Sequence, residues 1–257
     1  MTVVSFLRLN PESGMACADE RETHTSCPGI QRTYDVHKKI YKLNDFSFGG
    51  YSGDAEYSSE IMKMAIPKID KEASIEKVRE TLKHIYQDVR TEKTRDHLLE
   101  RFKLTFDDVS KGSGVNPELI MKGIEILNDP NSFGVTILFG GYDPKQKEFK
   151  IYRLTYPGGD AEVYRTTSIG SGWESADKVI GEYIDIMNPE QRENINPSKG
   201  AKILMEATRA AWRNIGVGGK TQLVWSDADK GIKELGWKES NILNNLVYLQ
   251  KKEIVPV

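Results

Sequence analysis

The sequence has few cysteines, no long apolar run and almost no net charge. Its two cysteines, Cys17 and Cys27, form neither a disulfide framework nor a metal-binding spacing. No apolar stretch approaches the roughly 20 residues of a membrane-spanning helix, and the first residues lack the layout of a secretory signal. The net charge of -2 gives no electrostatic reason to expect nucleic acid or an anionic membrane as a partner. We therefore expect a cytoplasmic globular protein.

The pattern of apolar residues predicts two groups of strands on either side of a helical segment. The balance of 38% hydrophobic and 29% charged residues suits one globular domain spanning residues 1–257. Apolar residues at three- and four-residue steps predict an extended helical segment at about 54–130, and further helices at Ser175–Met187 and Pro197–Asn214. Predicted strands cover Val3–Leu9, Met15–Asp19, Lys39–Leu43, Phe46–Tyr51, Phe133–Gly141, Phe149–Leu154, Ala161–Ser168 and Leu223–Trp225. This order predicts an α+β fold with helical layers around a sheet sandwich, followed by a charged tail.

The second residue is a threonine at the start of a predicted strand. If Met1 is removed, Thr2 carries a hydroxyl nucleophile and a free α-amine that can act as its base. An α-amine titrates near pH ~7.7–8.0, so part of it is neutral at physiological pH. Because many proteins begin with Met-Thr, this feature has meaning only if the rest of the chain supplies a matching site.

Four short segments supply such a match when they are taken in order. They are Thr2, Ala18–Arg21, Lys38–Leu43 with the following Gly49–Ala55, and Ile169–Gly172. Together they resemble the proteasome β-subunit family of N-terminal nucleophile hydrolases. The resemblance covers nearly the whole chain and implies a four-layer αββα sandwich.

The resemblance assigns a role to each of five residues. Thr2 would attack a peptide carbonyl, and the Lys39 cation beside it would favour the neutral α-amine. Asp19 would pair with Lys39, and Ser171 would hydrogen-bond the α-amine. The Gly50 N–H would be the donor to the oxyanion.

Further positions match the family as supporting or pocket residues. Gly170 and Gly172 flank the serine, and Asn214 stands where proteasome β-subunits have an aspartate. An asparagine at this point is similar to the bacterial proteasome-like group called ancestral β-subunit, which implies a branch close to that group. Phe48 and Ser52 occupy positions of the specificity pocket, where a bulky Phe48 would favour small substrate side chains.

The implied protein is a self-assembling threonine peptidase without a metal or organic cofactor. Its partners would be other copies of itself in a closed or open ring, a peptide or unfolded protein substrate, and an unfoldase that the sequence does not identify. Two alternatives remain open. Aligning Val3-Val4-Ser5 with a bacterial peptidase ring places Met1 at the nucleophile position and predicts a catalytically silent scaffold. An active Thr2 could also serve a non-peptide amidase or an acyl transferase.

Each site residue also has a purely structural interpretation. Asp19 and Lys39 could be a surface ion pair worth about 0–1 kcal/mol. Ser171 between two glycines is typical of a turn, and Thr2 could be a frayed terminus.

Overall fold

The computed structural model describes residues 2–27, 30–35, 38–111, 116–129, 133–214 and 217–236. In these residues the chain is mixed α+β, which confirms the α+β class predicted from the sequence. It has two five-stranded antiparallel sheets and a separate β-hairpin. Each helix that packs on a sheet has an apolar face. That face lies against the sheet, and the packing produces the layers described below.

Twelve strands are described. They are β1 (Val4–Asn10), β2 (Ser13–Asp19), β3 (Arg21–Cys27), β4 (Ile30–Asp35), β5 (Ile40–Lys42), β6 (Ser47–Gly53), β7 (Val135–Asp143), β8 (Glu148–Thr155), β9 (Gly159–Val163), β10 (Thr166–Ile169), β11 (Thr221–Asp227) and β12 (Gly231–Gly236). The first sheet has the order β10-β1-β2-β11-β12, and the second has the order β5-β6-β7-β8-β9. Strands β3 and β4 pair only with each other in the described residues.

Seven α-helices are described. They are α1 (Ala55–Ala65), α2 (Ile75–Lys93), α3 (Phe106–Lys111), α4 (Pro117–Asn128), α5 (Trp173–Asp185), α6 (Pro189–Glu193) and α7 (Pro197–Ala211). Side-chain oxygens of Asp54, Ser74 and Asn196 accept backbone N–H bonds at the starts of α1, α2 and α7. These bonds satisfy donors that have no partner inside the helix, so the sequence fixes where the helices begin. None of the described helices is both long and apolar enough to cross a membrane.

Three buried apolar clusters separate the layers. One lies between the first sheet and helices α5 and α7, and another lies between the second sheet and helices α1 and α2. The third joins the two sheets, with Val4 and Phe6 from β1 facing Phe48 and Leu138 from β6 and β7. Alternate residues of β1 point to opposite faces, since Leu7 and Leu9 belong to the cluster that contains helices α5 and α7. The chain is a layered α+β sandwich with its sheets in the middle.

Three elements differ from the sequence-based expectation. The predicted strand Ala161–Ser168 is two strands, since β9 pairs with β8 in the second sheet and β10 pairs with β1 in the first. The hairpin of β3 and β4 was not predicted, because Arg21–Cys27 lacks alternating apolar residues. The charged segment after Trp225 includes β12, which pairs along β11.

Candidate functional site

The carboxylate of Asp19 lies at the centre of a buried polar cluster. Its side chain is fully buried at the end of β2. Its Oδ1 accepts hydrogen bonds from Thr2 Oγ1 at 2.8 Å, from the Val3 N–H at 2.8 Å and from Lys39 Nζ at 2.9 Å. The Gly218 N–H donates to Oδ2 at 3.0 Å. A buried carboxylate is costly unless it is paired, and here four donors, one of them the Lys39 cation, compensate it.

Thr2 is positioned by the strand that follows it. Strand β1 lies between β10 and β2, with Val4 opposite Ala18, and the Asp19 N–H donates to Val3 O at 3.3 Å. Because the strand is held on both sides, Thr2 is fixed at its start and is only 6% exposed. The frayed-terminus interpretation of Thr2 therefore does not fit this structure.

Lys39 reaches the cluster from the other sheet. It directly precedes β5, and its side chain is 5% exposed. Its Nζ pairs with Asp19 Oδ1 and also donates to the backbone oxygen of Arg21. The Asp19–Lys39 contact is thus a buried ion pair between the two sheets, and the surface-pair interpretation is wrong.

The turn between β10 and α5 approaches Thr2 closely. Ser171 Oγ accepts a hydrogen bond from the Thr2 N–H at 3.2 Å, and the Gly172 N–H donates to Thr2 O at 3.3 Å. Gly170 has a φ of 93°, and a Cβ at this position would lie 2.2 Å from Thr2 O. Only glycine fits such a close approach in this backbone region without displacing Thr2.

The segment after α7 supports this turn. Asn214 Nδ2 donates to Ser171 O at 3.0 Å, and the Val217 N–H donates to Asn214 O at 2.9 Å. A Cβ on Gly172 would lie 2.7 Å from Ala211 Cβ at the end of α7. Asn214 therefore contacts the serine backbone through its amide, a bond that an aspartate could not donate.

Gly50 lies on β6 between Ile40 of β5 and Leu138 of β7. The N–H and C=O of Ile40 are both bonded to the side chain of Gln222, on the side away from β6. Ile40 and Gly50 are therefore a non-hydrogen-bonded pair of the antiparallel ladder. Gly50 does lie beside Lys39, whose backbone oxygen would be 3.1 Å from an added Cβ.

The two predicted pocket residues lie inside the sandwich. Phe48 is fully buried and stacks on Phe6, with ring centroids 5.1 Å apart, and its ring is 6.1 Å from that of Phe149. Ser52 is 6% exposed and is paired with Thr136 in the ladder. The ring of Phe48 therefore fills the space between the sheets.

Cys17, two residues before Asp19, is the other nucleophilic side chain close to the cluster. It is fully buried, and Thr208 Oγ1 donates to its sulfur at 3.1 Å. Burial raises the pKa of the Cys17 thiol to about 12. Since the thiolate is the reactive form, Cys17 is inert at neutral pH.

Two backbone donors of the cluster have no signal in the sequence, and a side chain that supports Lys39 has a weak one. The N–H groups of Val3 and Gly218 bind Asp19, and no residue type marks a backbone donor. Gln222 binds the backbone at Lys39 and Ile40. Its polar side chain within the apolar run of β11 is the one feature that could have drawn attention to it.

The described residues contain no group of three or more His, Cys, Asp and Glu side chains that could hold a metal ion. No protein-family model matches the chain, and no curated protein matches it. A role for the Asp19 cluster therefore has to be argued from its geometry.

Proposed function

We propose that this protein is an N-terminal nucleophile hydrolase of the proteasome β-subunit type, close to the ancestral β-subunit group, which cleaves peptide amides through Thr2 after Met1 is removed. One observation carries the proposal: Asp19 Oδ1 joins the hydroxyl of Thr2 to the ammonium of Lys39, while Ser171 Oγ contacts the nitrogen of the same threonine. The layered sandwich, with a sheet pair between helices, supports the four-layer αββα architecture that this function implies.

The chemistry follows from these positions. Without Met1, the nitrogen of Thr2 is an amine next to its own hydroxyl, and the nearby Lys39 cation disfavours protonation of that amine. Thr2 Oγ1 attacks the substrate carbonyl carbon and its proton passes to the amine. The amine then protonates the leaving nitrogen as the C–N bond breaks, which leaves an ester on Thr2. Water attacks this ester, and the acid product leaves with Thr2 restored.

Asp19 and Ser171 hold the reacting groups in place. Asp19 fixes both the hydroxyl of Thr2 and the ammonium of Lys39 through a single oxygen. Ser171 Oγ fixes the nitrogen of Thr2 on the other side. This arrangement keeps the nucleophile and its base in one geometry, the condition under which positioning lowers a barrier most.

Peptide hydrolysis by three variants tests the function. Thr2→Ala removes the nucleophile and should reduce turnover by at least about 10³-fold, whereas Thr2→Ser keeps a hydroxyl and should retain measurable turnover. Thr166→Ala is the matched control, because Thr166 Oγ1 also makes a structural hydrogen bond in the first sheet, to Phe6 O at 2.8 Å. Full turnover in Thr2→Ala would contradict the proposal.

The products of the same assay separate the alternative functions. Cleavage of small amides without cleavage of peptides would identify an amidase, and transfer to an added amine would identify an acyl transferase. No turnover of any amide, together with retained Met1, would identify a silent scaffold. Within the peptidase function, we expect cleavage after small residues, because Phe48 already fills the space between the sheets. Preferred cleavage after large aromatic residues would contradict that specificity.

A further inference from the structure

A single buried amide connects the two sheets next to the candidate site. Gln222 lies on β11 of the first sheet and is completely buried. Its Oε1 accepts from the Lys39 N–H at 3.2 Å and from the Ile40 N–H at 2.9 Å, and its Nε2 donates to Ile40 O at 2.8 Å. The side chain thus binds three backbone groups of the segment that carries Lys39.

The local structure explains why this segment needs an external support. Strand β5 has only three residues, Ile40–Lys42, and it lies at the edge of the second sheet. Lys39 precedes the strand, and the backbone groups of Ile40 that bind Gln222 point away from β6. Gln222 therefore occupies the position that a further strand would take at this point of the edge.

The orientation of the amide is itself fixed. Gln222 Nε2 also donates to Glu234 Oε1 at 2.9 Å, and the same Glu234 oxygen pairs with Lys38 Nζ at 2.9 Å. A carboxylate accepts hydrogen bonds only, so it holds the NH₂ group of Gln222 towards itself and the amide oxygen towards Lys39. Contacts from β12 and from Lys38 thus determine which end of Gln222 meets the Lys39 backbone.

We propose that Gln222 is a positioning residue which, from the opposite sheet, places the Lys39 ammonium on the Asp19 oxygen that also binds the hydroxyl of Thr2. It does not touch the reacting atoms and acts through the Lys39 backbone. Only the kinetic test below rests on the proposed hydrolase function, because the placement of Lys39 can also be measured without turnover.

Gln222→Met tests the inference, because methionine has a similar length and cannot accept from the Lys39 and Ile40 N–H groups. If Lys39 moves away from Thr2, protonation of the α-amine is less disfavoured. The acidic limb of the pH profile for inactivation by an epoxyketone peptide should therefore move to higher pH by about one unit. Ser226→Ala is the control, since Ser226 on the same strand also crosses to the second sheet, to Phe46 O at 3.0 Å. It should lower the melting temperature without moving the profile.

Hydrogen exchange provides a measurement that needs no activity. The amides of Lys39 and Ile40 should be protected on the order of 10³-fold or more, as expected for bonds in a stable core. Gln222→Met should remove this protection, and Ser226→Ala should keep it. Exchange of the wild-type Lys39 amide at the rate of an unprotected peptide would overturn the inference, as would an unmoved pH profile in Gln222→Met. If wild-type protein forms no adduct, the hydrolase function fails, and the exchange result alone decides the role of Gln222.

Discussion

At the residue scale, the cluster depends on a buried cation that compensates a buried carboxylate. Lys39 and Asp19 have 5% and 0% side-chain exposure, so neither charge is screened well by water. Replacing one partner of such a pair leaves an uncompensated charge, which commonly costs about 3–5 kcal/mol of stability. Here Asp19 retains donors from Thr2, Val3 and Gly218, so the cost should lie at the lower end of that range.

Lys39→Ala should abolish turnover and lower the free energy of unfolding by about 3 kcal/mol, as measured by denaturant unfolding and peptide hydrolysis. The matched control is Lys42→Ala, which breaks the exposed pair with Asp45 and should leave the free energy of unfolding nearly unchanged. Wild-type turnover in Lys39→Ala would remove Lys39 from the mechanism. Equal losses of stability in Lys39→Ala and Lys42→Ala would contradict the buried pairing of Lys39 with Asp19.

Gly170→Ala should slow the reaction of Thr2, because the added methyl group would lie 2.2 Å from Thr2 O in a backbone region that favours glycine. We expect a loss of stability of about 1–3 kcal/mol together with at least a tenfold loss of inactivation rate. Gly159→Ala is the control, since a Cβ there meets no atom within 4 Å. A Gly170→Ala protein that reacts like wild type would show that the turn does not hold Thr2.

Site residues that act through a reactive or charged side chain could be predicted from the sequence. Residues that act only through a backbone N–H could not. Thr2, Asp19, Lys39 and Ser171 are identifiable by residue type and order, and the structure brings their polar atoms within hydrogen-bonding distance. The direction of the Gly50 N–H depends on which ladder partner it faces. That direction is set by the register of β5 against β6, and the sequence of one strand does not reveal this register.

At the element scale, charged contacts fix helix α2 on the edge of the second sheet. Asp160 on β9 is 3% exposed and pairs with Arg79 and with Lys83 of α2, the latter at 2.6 Å. Burial alone would raise the pKa of the Asp160 carboxyl, but the hydrogen bonds from Lys83 and Arg79 outweigh it and hold the pKa below its usual value. Asp160 therefore joins β9 to α2 by its charge.

Asp160→Asn should reduce the free energy of unfolding by about 1–2 kcal/mol near neutral pH, since both partners are partly exposed. A lowered folded-state pKa contributes stability above the unfolded-state pKa, and this contribution is lost as pH falls through the folded-state value. The difference between wild type and variant should therefore shrink below about pH 4, as measured by unfolding at several pH values. Asp107→Asn, in an exposed pair with Lys111, is the control and should change the free energy of unfolding little. A difference in unfolding free energy between wild type and Asp160→Asn that stays constant to low pH would contradict the expected pH dependence.

Apolar periodicity predicted the elements that bury one face, and it failed where an element buries little. The helices α2, α5 and α7 and strands β1 and β7 follow from their apolar spacing. The polar strand β3 and the charged strand β12 have no such pattern, so only pairing with a neighbour defines them. The division of Ala161–Ser168 between two sheets depends on the bend at Tyr164 and Arg165, which β propensity does not reveal.

At the scale of the whole molecule, helices α5 and α7 expose large apolar side chains at their ends. Trp173 at the start of α5 is 48% exposed, Ile186 after its end is 80% exposed, and Trp212 after α7 is 43% exposed. Exposed aromatic and aliphatic groups on a helical layer are typical of contact surfaces between proteins. The self-assembly that the sequence resemblance implies would cover such side chains in contacts between copies of the chain.

Light scattering on the purified protein should give a mass that is a multiple of the chain mass. Ile186→Glu should lower that mass without changing the melting behaviour of the isolated subunit, because a charge in an apolar contact is costly only when the contact is formed. Lys145→Glu, in the turn between β7 and β8, is the control and should assemble like wild type. A monomer at every concentration would contradict self-assembly.

Intact mass of the protein, before and after incubation with an epoxyketone peptide that captures an N-terminal threonine, tests the role of Thr2 most directly. We expect a mass that lacks Met1 and gains a single adduct in the wild type, with no adduct in Thr2→Ala. Retained Met1 and an unchanged mass after incubation would contradict the Thr2 nucleophile and would identify the cluster around Asp19 as the structural anchor of a silent scaffold.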